Sequence, residues 1–172
     1  MEVRLMLPTP AEKEQILAYK AAFLQQGDSM DGTAGLKDAP SFAAWFTAWQ
    51  NNGKEETVQP GLVPSTTYLA IDGAGNLLGM VDIRHRLNDH LLQFGGHIGY
   101  SVLPAQRKKG IATQMLALAL VKCKALGITR ALITCDKTNI ASAKTILANG
   151  GVLENEVTAG ERITQRYWIE IA

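Results

Sequence analysis

One run constrains this chain more than any other: Val102-Leu103-Pro104-Ala105-Gln106-Arg107-Lys108-Lys109-Gly110-Ile111-Ala112. An apolar strand-like segment, Ile98 to Val102, ends at a proline, which cannot donate to a sheet ladder. A basic turn with one glycine follows. Then Ile111 to Leu126 carries helical apolar spacing. The first N–H groups of a helix lack partners and bear a partial positive charge. Gly110 allows close backbone approach to an anion, and Arg107, Lys108 and Lys109 add full charges. Strand, basic turn and helix together predict a pyrophosphate site. The alternative is a solvated basic patch that needs no ligand. The spacing matches neither G-x-x-x-x-G-K-[ST] nor G-x-G-x-x-G, so nucleotide sites of those two kinds are excluded.

Arg107-x-x-Gly110-x-Ala112 resembles the R/Q-x-x-G-x-G/A signature of the GNAT superfamily of acyl-CoA-dependent N-acetyltransferases. Ile98 to Pro104 is similar to that family's fourth strand, Ile111 to Leu126 to its third helix, and Asn139-Ile140-Ala141-Ser142 to its N-x-x-S/A element. The resemblance runs over nearly the whole chain. It implies a splayed gap between the fourth and fifth strands where acyl-CoA enters. It also implies backbone contacts from Val102 and Leu103 to the pantetheine arm and thioester carbonyl. Arg107, Lys108, Lys109, Gly110, Ile111, Ala112 and Thr113 would wrap the pyrophosphate, and Asn139 and Ser142 would face the arm. Asn with Ser at this spacing looks most like the branch acting on ribosomal-protein N-termini and related small-molecule acetylators.

The remaining elements follow from pattern. Val3 to Leu7 reads as a strand. Thr9-Pro10-Ala11-Glu12 is a capping box opening a helix to about Gln26, stopped by Gly27. Residues 28–37 read as a mobile loop. Asp38 is the expected cap of a second helix, with Phe42, Trp45, Phe46 and Trp49 at helical spacing for the core. After an irregular stretch over 54–65 come three meander strands, Thr66 to Ile71, Leu77 to His85 and Gly96 to Val102. Ala131 to Cys135 is apolar enough for a buried parallel pairing. Asn139 caps the last helix, and Val152 to Val157 with Ile163 to Ile169 form a hairpin. The order β-α-α-β-β-β-α-β-α-β-β predicts an α+β fold: one mixed, mostly antiparallel sheet flanked by helices, in a single domain over 1–172.

Composition narrows the function. A net charge of +1 argues against nucleic-acid binding, so the basic triplet suits one small anion. No run reaches the ~18 apolar residues of a membrane span, and no signal peptide opens the chain, so a cytoplasmic protein is expected. Cys123 and Cys135 read as reduced, buried thiols. His85, His90 and His97 fit no metal pattern, and no metal is expected.

Amide formation needs a polarised thioester, a deprotonated amine and a stabilised thiolate. The family commonly places a tyrosine on the last helix as acid to the thiolate. Seven residues on from Asn139 stands Ile146 instead. His97 lies where relatives carry a glutamate base, and its ordinary pKa suits that task. It serves either as base or as a sheet residue that hydrogen-bonds a neighbour. Alternation sets His97, Gly99 and Ser101 on one face and Ile98, Tyr100 and Val102 on the other. Arg84, His85, Arg86, Asp89 and His90 form a polar cluster, and Asp136 is a further candidate wall residue. Direct acetyl transfer from acetyl-CoA to an amine is expected, with a non-catalytic acyl-CoA-binding module as the alternative. Tyr167 and Trp168 on the last strand belong to core or to a homodimer interface.

Overall fold

A computed structural model describes the whole chain, Met1–Ala172. Strand β1 (Arg4–Met6) leads to the Thr9 box. There the Thr9 hydroxyl accepts from Ala11 N–H, and Glu12 accepts from Thr9 N–H at 2.9 Å. The box starts a short 3-10 turn, Pro10–Glu12, that runs into α1 (Lys13–Gln26). Gly27, at φ 72, closes α1 by donating to the Leu24 and Phe23 carbonyls. Helix α2 (Phe42–Asn52) starts at Ser41 rather than Asp38. The Ser41 hydroxyl accepts Ala44 N–H at 3.1 Å, while Asp38 closes a separate 3-10 turn.

Segment 28–37 is not the free loop that its composition suggests. Met30, Thr33 and Leu36 are buried. Trp45 Nε1 donates to the Thr33 carbonyl at 2.8 Å, which ties the segment to α2. Its anchors are irregularly spaced, so no periodicity revealed them. Gly32, at φ 70, sits so close to β4 that a Cβ would lie 2.3 Å from the Gly99 carbonyl oxygen.

Strands β2 (Ser65–Ile71), β3 (Leu77–Arg84) and β4 (Ile98–Val102) extend β1 into an antiparallel sheet ordered β1-β2-β3-β4. After α3 (Ile111–Ala125), strands β5 (Arg130–Asp136), β6 (Val152–Ala159) and β7 (Arg162–Glu170) build a second sheet ordered β5-β7-β6. Helix α4 (Ile140–Ala148) lies between β5 and β6 in the chain. The expected parallel partner of β5 is not realised: β5 pairs antiparallel with β7, from Arg130–Glu170 to Asp136–Thr164. Its apolar run is buried because both faces are covered.

Two clusters fill the interior. One joins Ile98 and Val102 of β4 to Ile111, Met115, Leu116 and Ala119 of α3, to Ile133 and Cys135 of β5, and to Ile146 of α4. The other joins Ile16, Tyr19 and Phe23 of α1 to Trp45 of α2 and to Leu69 and Met80. Helices α3 and α4 therefore cover one face and α1 and α2 the other. Tyr167 belongs to the core, while Trp168 is half-buried, donates to Glu154 at 2.8 Å and stacks with Arg130.

Candidate active site

The two sheets touch by pairing at one point, an isolated bridge between Gly96 and Ile133. The chain reaches it through a π-helical turn, Leu91–Gly95, and the strand expected from Gly96 begins at Ile98. Gly96 is at φ 67, and a Cβ there would lie 2.4 Å from the Leu132 carbonyl oxygen, so glycine is required for the approach. Beyond the bridge β4 and β5 are not paired with each other. The His97 carbonyl accepts from Arg84 N–H at 2.7 Å, and Leu103 N–H donates to the Leu78 carbonyl at 2.8 Å. Ladder alternation between these points turns the backbone groups of Ile98, Tyr100 and Val102 toward β5. The result is a slot with one polar backbone wall.

At the end of β4 the chain makes the basic turn. Lys108, at φ 63, and Gly110, at φ 76, both take left-handed conformations. Successive N–H groups in such a turn form a concavity suited to anions. Helix α3 has no side-chain cap: Gly110 is its N-cap, and Ile111, Ala112 and Thr113 supply the first-turn N–H groups. By contrast, Thr9, Ser41 and Asn139 each accept a backbone N–H at the start of a helical segment. Around Gly110 a Cβ would meet nothing within 4 Å, so the space facing the turn is open. Lys109 Nζ donates to Gln106 at 3.0 Å, and both lysines are exposed.

Two of the expected ligands are used differently. Arg107 donates through Nε to the Val102 carbonyl at 3.2 Å and through Nη1 to Asp28 at 2.7 Å, and its guanidinium lies 5.5 Å from the Phe23 ring centre. Its charge is committed to the segment after α1 rather than to the phosphate turn. Leu103 N–H is committed to Leu78, so of the pair Val102 and Leu103 only Val102 turns its backbone to the slot. A groove of about 560 Å³ between α1 and this turn is lined by Tyr19, Ala22, Gln25, Leu103, Pro104 and Arg107. It adjoins the C-terminal end of β4 and lies outside the slot.

Across the slot, Asn139 Oδ1 accepts Ser142 N–H at 3.1 Å, the capping role read from sequence. Ser142 Oγ lies 2.8 Å from the Tyr100 hydroxyl, so a hydrogen bond spans from β4 to α4. Burial pushes the Tyr100 phenol up to about 12, although the Ser142 hydrogen bond opposes this. Cys135 of β5 belongs to the same surroundings, and burial raises its thiol. Ile146 is fully buried in the α3 cluster. Sequence reasoning placed Tyr100 on the correct face and gave it no role. The signal was present in alternation, since Tyr100 shares the slot edge with Val102.

His97 does not form a base. Its Nδ1 accepts Leu132 N–H at 2.9 Å, while its own N–H donates to the Leu132 carbonyl at 2.7 Å. The neutral ring therefore carries its proton on Nε2, and its free lone pair is occupied. Burial, and then the nearby Arg84 charge, pull the ring down to about 4. The imidazole replaces a strand partner at the splay point, and the expectation of proton abstraction by His97 is corrected accordingly.

On the opposite face of β4, Tyr19 Oη lies 2.9 Å from Ser101 Oγ. Buried Asp82 accepts from Thr67 at 2.9 Å and pairs with Arg84 at 3.0 Å, and Arg84 lies over Gly99. His85 Nε2 meets Thr66 Oγ1 at 2.7 Å, Arg86 pairs with Glu55, and Asp136 with Arg162. The polar cluster thus splits: Arg84 turns inward over β4 and Arg86 is on the surface.

Comparison with known proteins agrees with this geometry. No curated protein sequence matches the chain. Among solved structures, RimJ from Mycobacterium smegmatis in complex with CoA-disulfide is similar at 17% identity and TM-score 0.72, over 98% of this chain and 81% of that one. A GNAT-family acetyltransferase from Streptococcus pneumoniae matches at 16% identity and TM-score 0.66, over 99% and 100%. The yncA protein from Salmonella typhimurium, solved with its cofactor acetyl-CoA, matches at 15% identity and TM-score 0.61, over 99% and 94%. These likenesses establish the fold, including the mixed α+β layering. The family model for the GNAT acetyltransferase domain matches residues 4–152, and the chain belongs to that family.

Proposed function

We propose that this protein transfers an acetyl group from acetyl-CoA to a primary amine by direct attack in a ternary complex, with the whole chain acting as one catalytic unit. The observation that carries this reading is the uncapped, doubly left-handed basic turn opening directly onto an unpaired strand edge. Lys108 to Thr113 would hold the pyrophosphate through backbone N–H groups and two lysine charges. The slot-facing N–H of Val102 would hold the pantetheine arm, while the Val102 carbonyl is taken by Arg107. The amine nitrogen bonds the acetyl carbon, the carbon–sulfur bond breaks with its electron pair on sulfur, and the amine proton passes to solvent.

The test is thiol release from acetyl-CoA against a panel of small polyamines and peptides with free N-termini, with product mass as the second readout. Acceptor-dependent release together with an acetylated product supports the reading. A second reading, a non-catalytic acyl-CoA-binding module, is favoured by two observations: Ile146 lies in the core, and His97 has no free lone pair. Under that reading CoA binds, and no amine gives thiol release.

A further inference from the structure

Building on the acetyl-CoA reading, we infer that Tyr100 supplies from β4 the hydrogen bond that stabilises the departing CoA thiolate. The slot has one backbone wall, made by Ile98, Tyr100 and Val102, and of these Tyr100 alone carries a hydroxyl. That hydroxyl crosses to α4 and rests on Ser142 at 2.8 Å. Cys135 of β5 is near enough to disfavour ionisation of the phenol. The Tyr100 hydroxyl rests against the Ser142 hydroxyl, with the Thr145 hydroxyl as a second neighbour within hydrogen-bonding reach. An arm laid along the β4 edge passes this hydrogen bond.

Other candidates for the same task are occupied. Thr145 Oγ1 donates back to the Ala141 carbonyl at 3.1 Å, Asn139 Oδ1 caps α4, and Ile146 has no polar atom. His97 lies at the closed end of the slot with its lone pair bonded to Leu132. Tyr100 keeps its proton well above neutral pH, as a donor to sulfur must. In the transfer step the electron pair of the broken carbon–sulfur bond stays on sulfur. Tyr100 exchanges its hydrogen bond with Ser142 for one to that sulfur. No proton need leave the phenol, and the thiolate is later protonated by solvent.

The decisive measurement is the pKa of the thiol of bound CoA, followed by the ultraviolet absorbance of its thiolate, in the wild type and in Tyr100→Phe. A free thiol of this kind titrates at roughly 8.5. In the wild-type complex the bound thiol should titrate about one unit lower, a tenfold shift. In Tyr100→Phe the depression should vanish while CoA affinity is kept, and kcat for acetyl transfer should fall about 10²-fold, the size seen on losing one preorganised donor. Equal titration in wild type and Tyr100→Phe overturns the inference. If neither protein binds CoA, the acetyl-CoA reading itself is overturned and the inference falls with it. Binding with an unshifted thiol overturns the inference alone.

Discussion

His97 and Leu132 exchange two hydrogen bonds that no regular ladder contains: the His97 N–H donates to the Leu132 carbonyl, and the Leu132 N–H donates to the His97 ring. A side chain stands in for the carbonyl that a continuing strand would offer. The two sheets are thereby pinned at one point and separate beyond it. Replacing the ring by alanine would leave a buried N–H unpaired, at a cost of about 1–3 kcal/mol.

That relationship predicts a pH-dependent stability. In the unfolded chain His97 titrates at its ordinary 6.5, and in the folded protein near 4. Between those values the unfolded chain binds the extra proton, so this contribution is whole above about pH 6.5 and is lost as pH falls toward 4. Thermal melts from pH 7.5 to 4.5 should show a falling Tm. His97→Asn, which keeps an acceptor at the position of Nδ1 and cannot titrate, should flatten the profile. An unchanged slope in that variant would assign the titration to other groups.

The cofactor turn gives a second prediction. Gly110→Glu forces a side chain into a left-handed position and sets a negative charge against the phosphates. Calorimetry should find CoA affinity reduced by at least about 100-fold, or ~2.7 kcal/mol. Circular dichroism should remain that of the wild type, because nothing lies within 4 Å of the added Cβ. Near-normal binding by the folded variant would remove the pyrophosphate from this turn.

Arg107 and the lysines should separate. Arg107 spends its charge on Asp28 and on the Val102 carbonyl. Arg107→Ala should therefore lower Tm and increase proteolysis after α1, with a smaller loss of CoA affinity than Lys108→Ala/Lys109→Ala. The double lysine variant should also bind with a weaker dependence on salt, since two exposed cations are gone. The reverse ranking of affinities would mean that Arg107 leaves Asp28 for the phosphates.

Neither thiol should matter to chemistry. Burial pushes Cys123 up to about 11 and raises Cys135, so both remain protonated near neutral pH. Cys123→Ala/Cys135→Ala should keep kcat within about tenfold, a barrier change near 1.4 kcal/mol. A trapped acetyl-cysteine by mass spectrometry would replace direct transfer with a covalent route.

Much of the fold was legible because its signals are local. The Thr9 box, the glycine after α1, the basic turn and the Asn139 cap each announce themselves within a few residues. Element order followed from periodicity. The site was less legible, because its decisive relations are long-range. Arg107 meets Asp28 from 79 residues away, and Tyr100 meets Ser142 from 42. His97 carries the same letter whether it takes a proton from a substrate or a hydrogen bond from Leu132. Leu103 was assigned to the slot by the family resemblance alone, and only the pairing of β4 with β3 shows its N–H turned to Leu78. Segment 28–37 looked loose because its buried anchors follow no period.

An unpaired strand edge invites other chains to add to it, and proteins usually blunt such edges. The outer edges here follow that rule. β1 is three residues long, and β6 is exposed, bulged between Leu153 and Asn155, and carries Glu154 and Glu156. The inner edge of β4 has no such guard: Ile98, Tyr100 and Val102 bring neither charge nor proline. It escapes aggregation by facing its own second sheet, with α4 across the opening. The split in the sheet thus keeps a strand edge with its backbone groups unspent, while the protein's own second sheet denies that edge to a strand from another molecule.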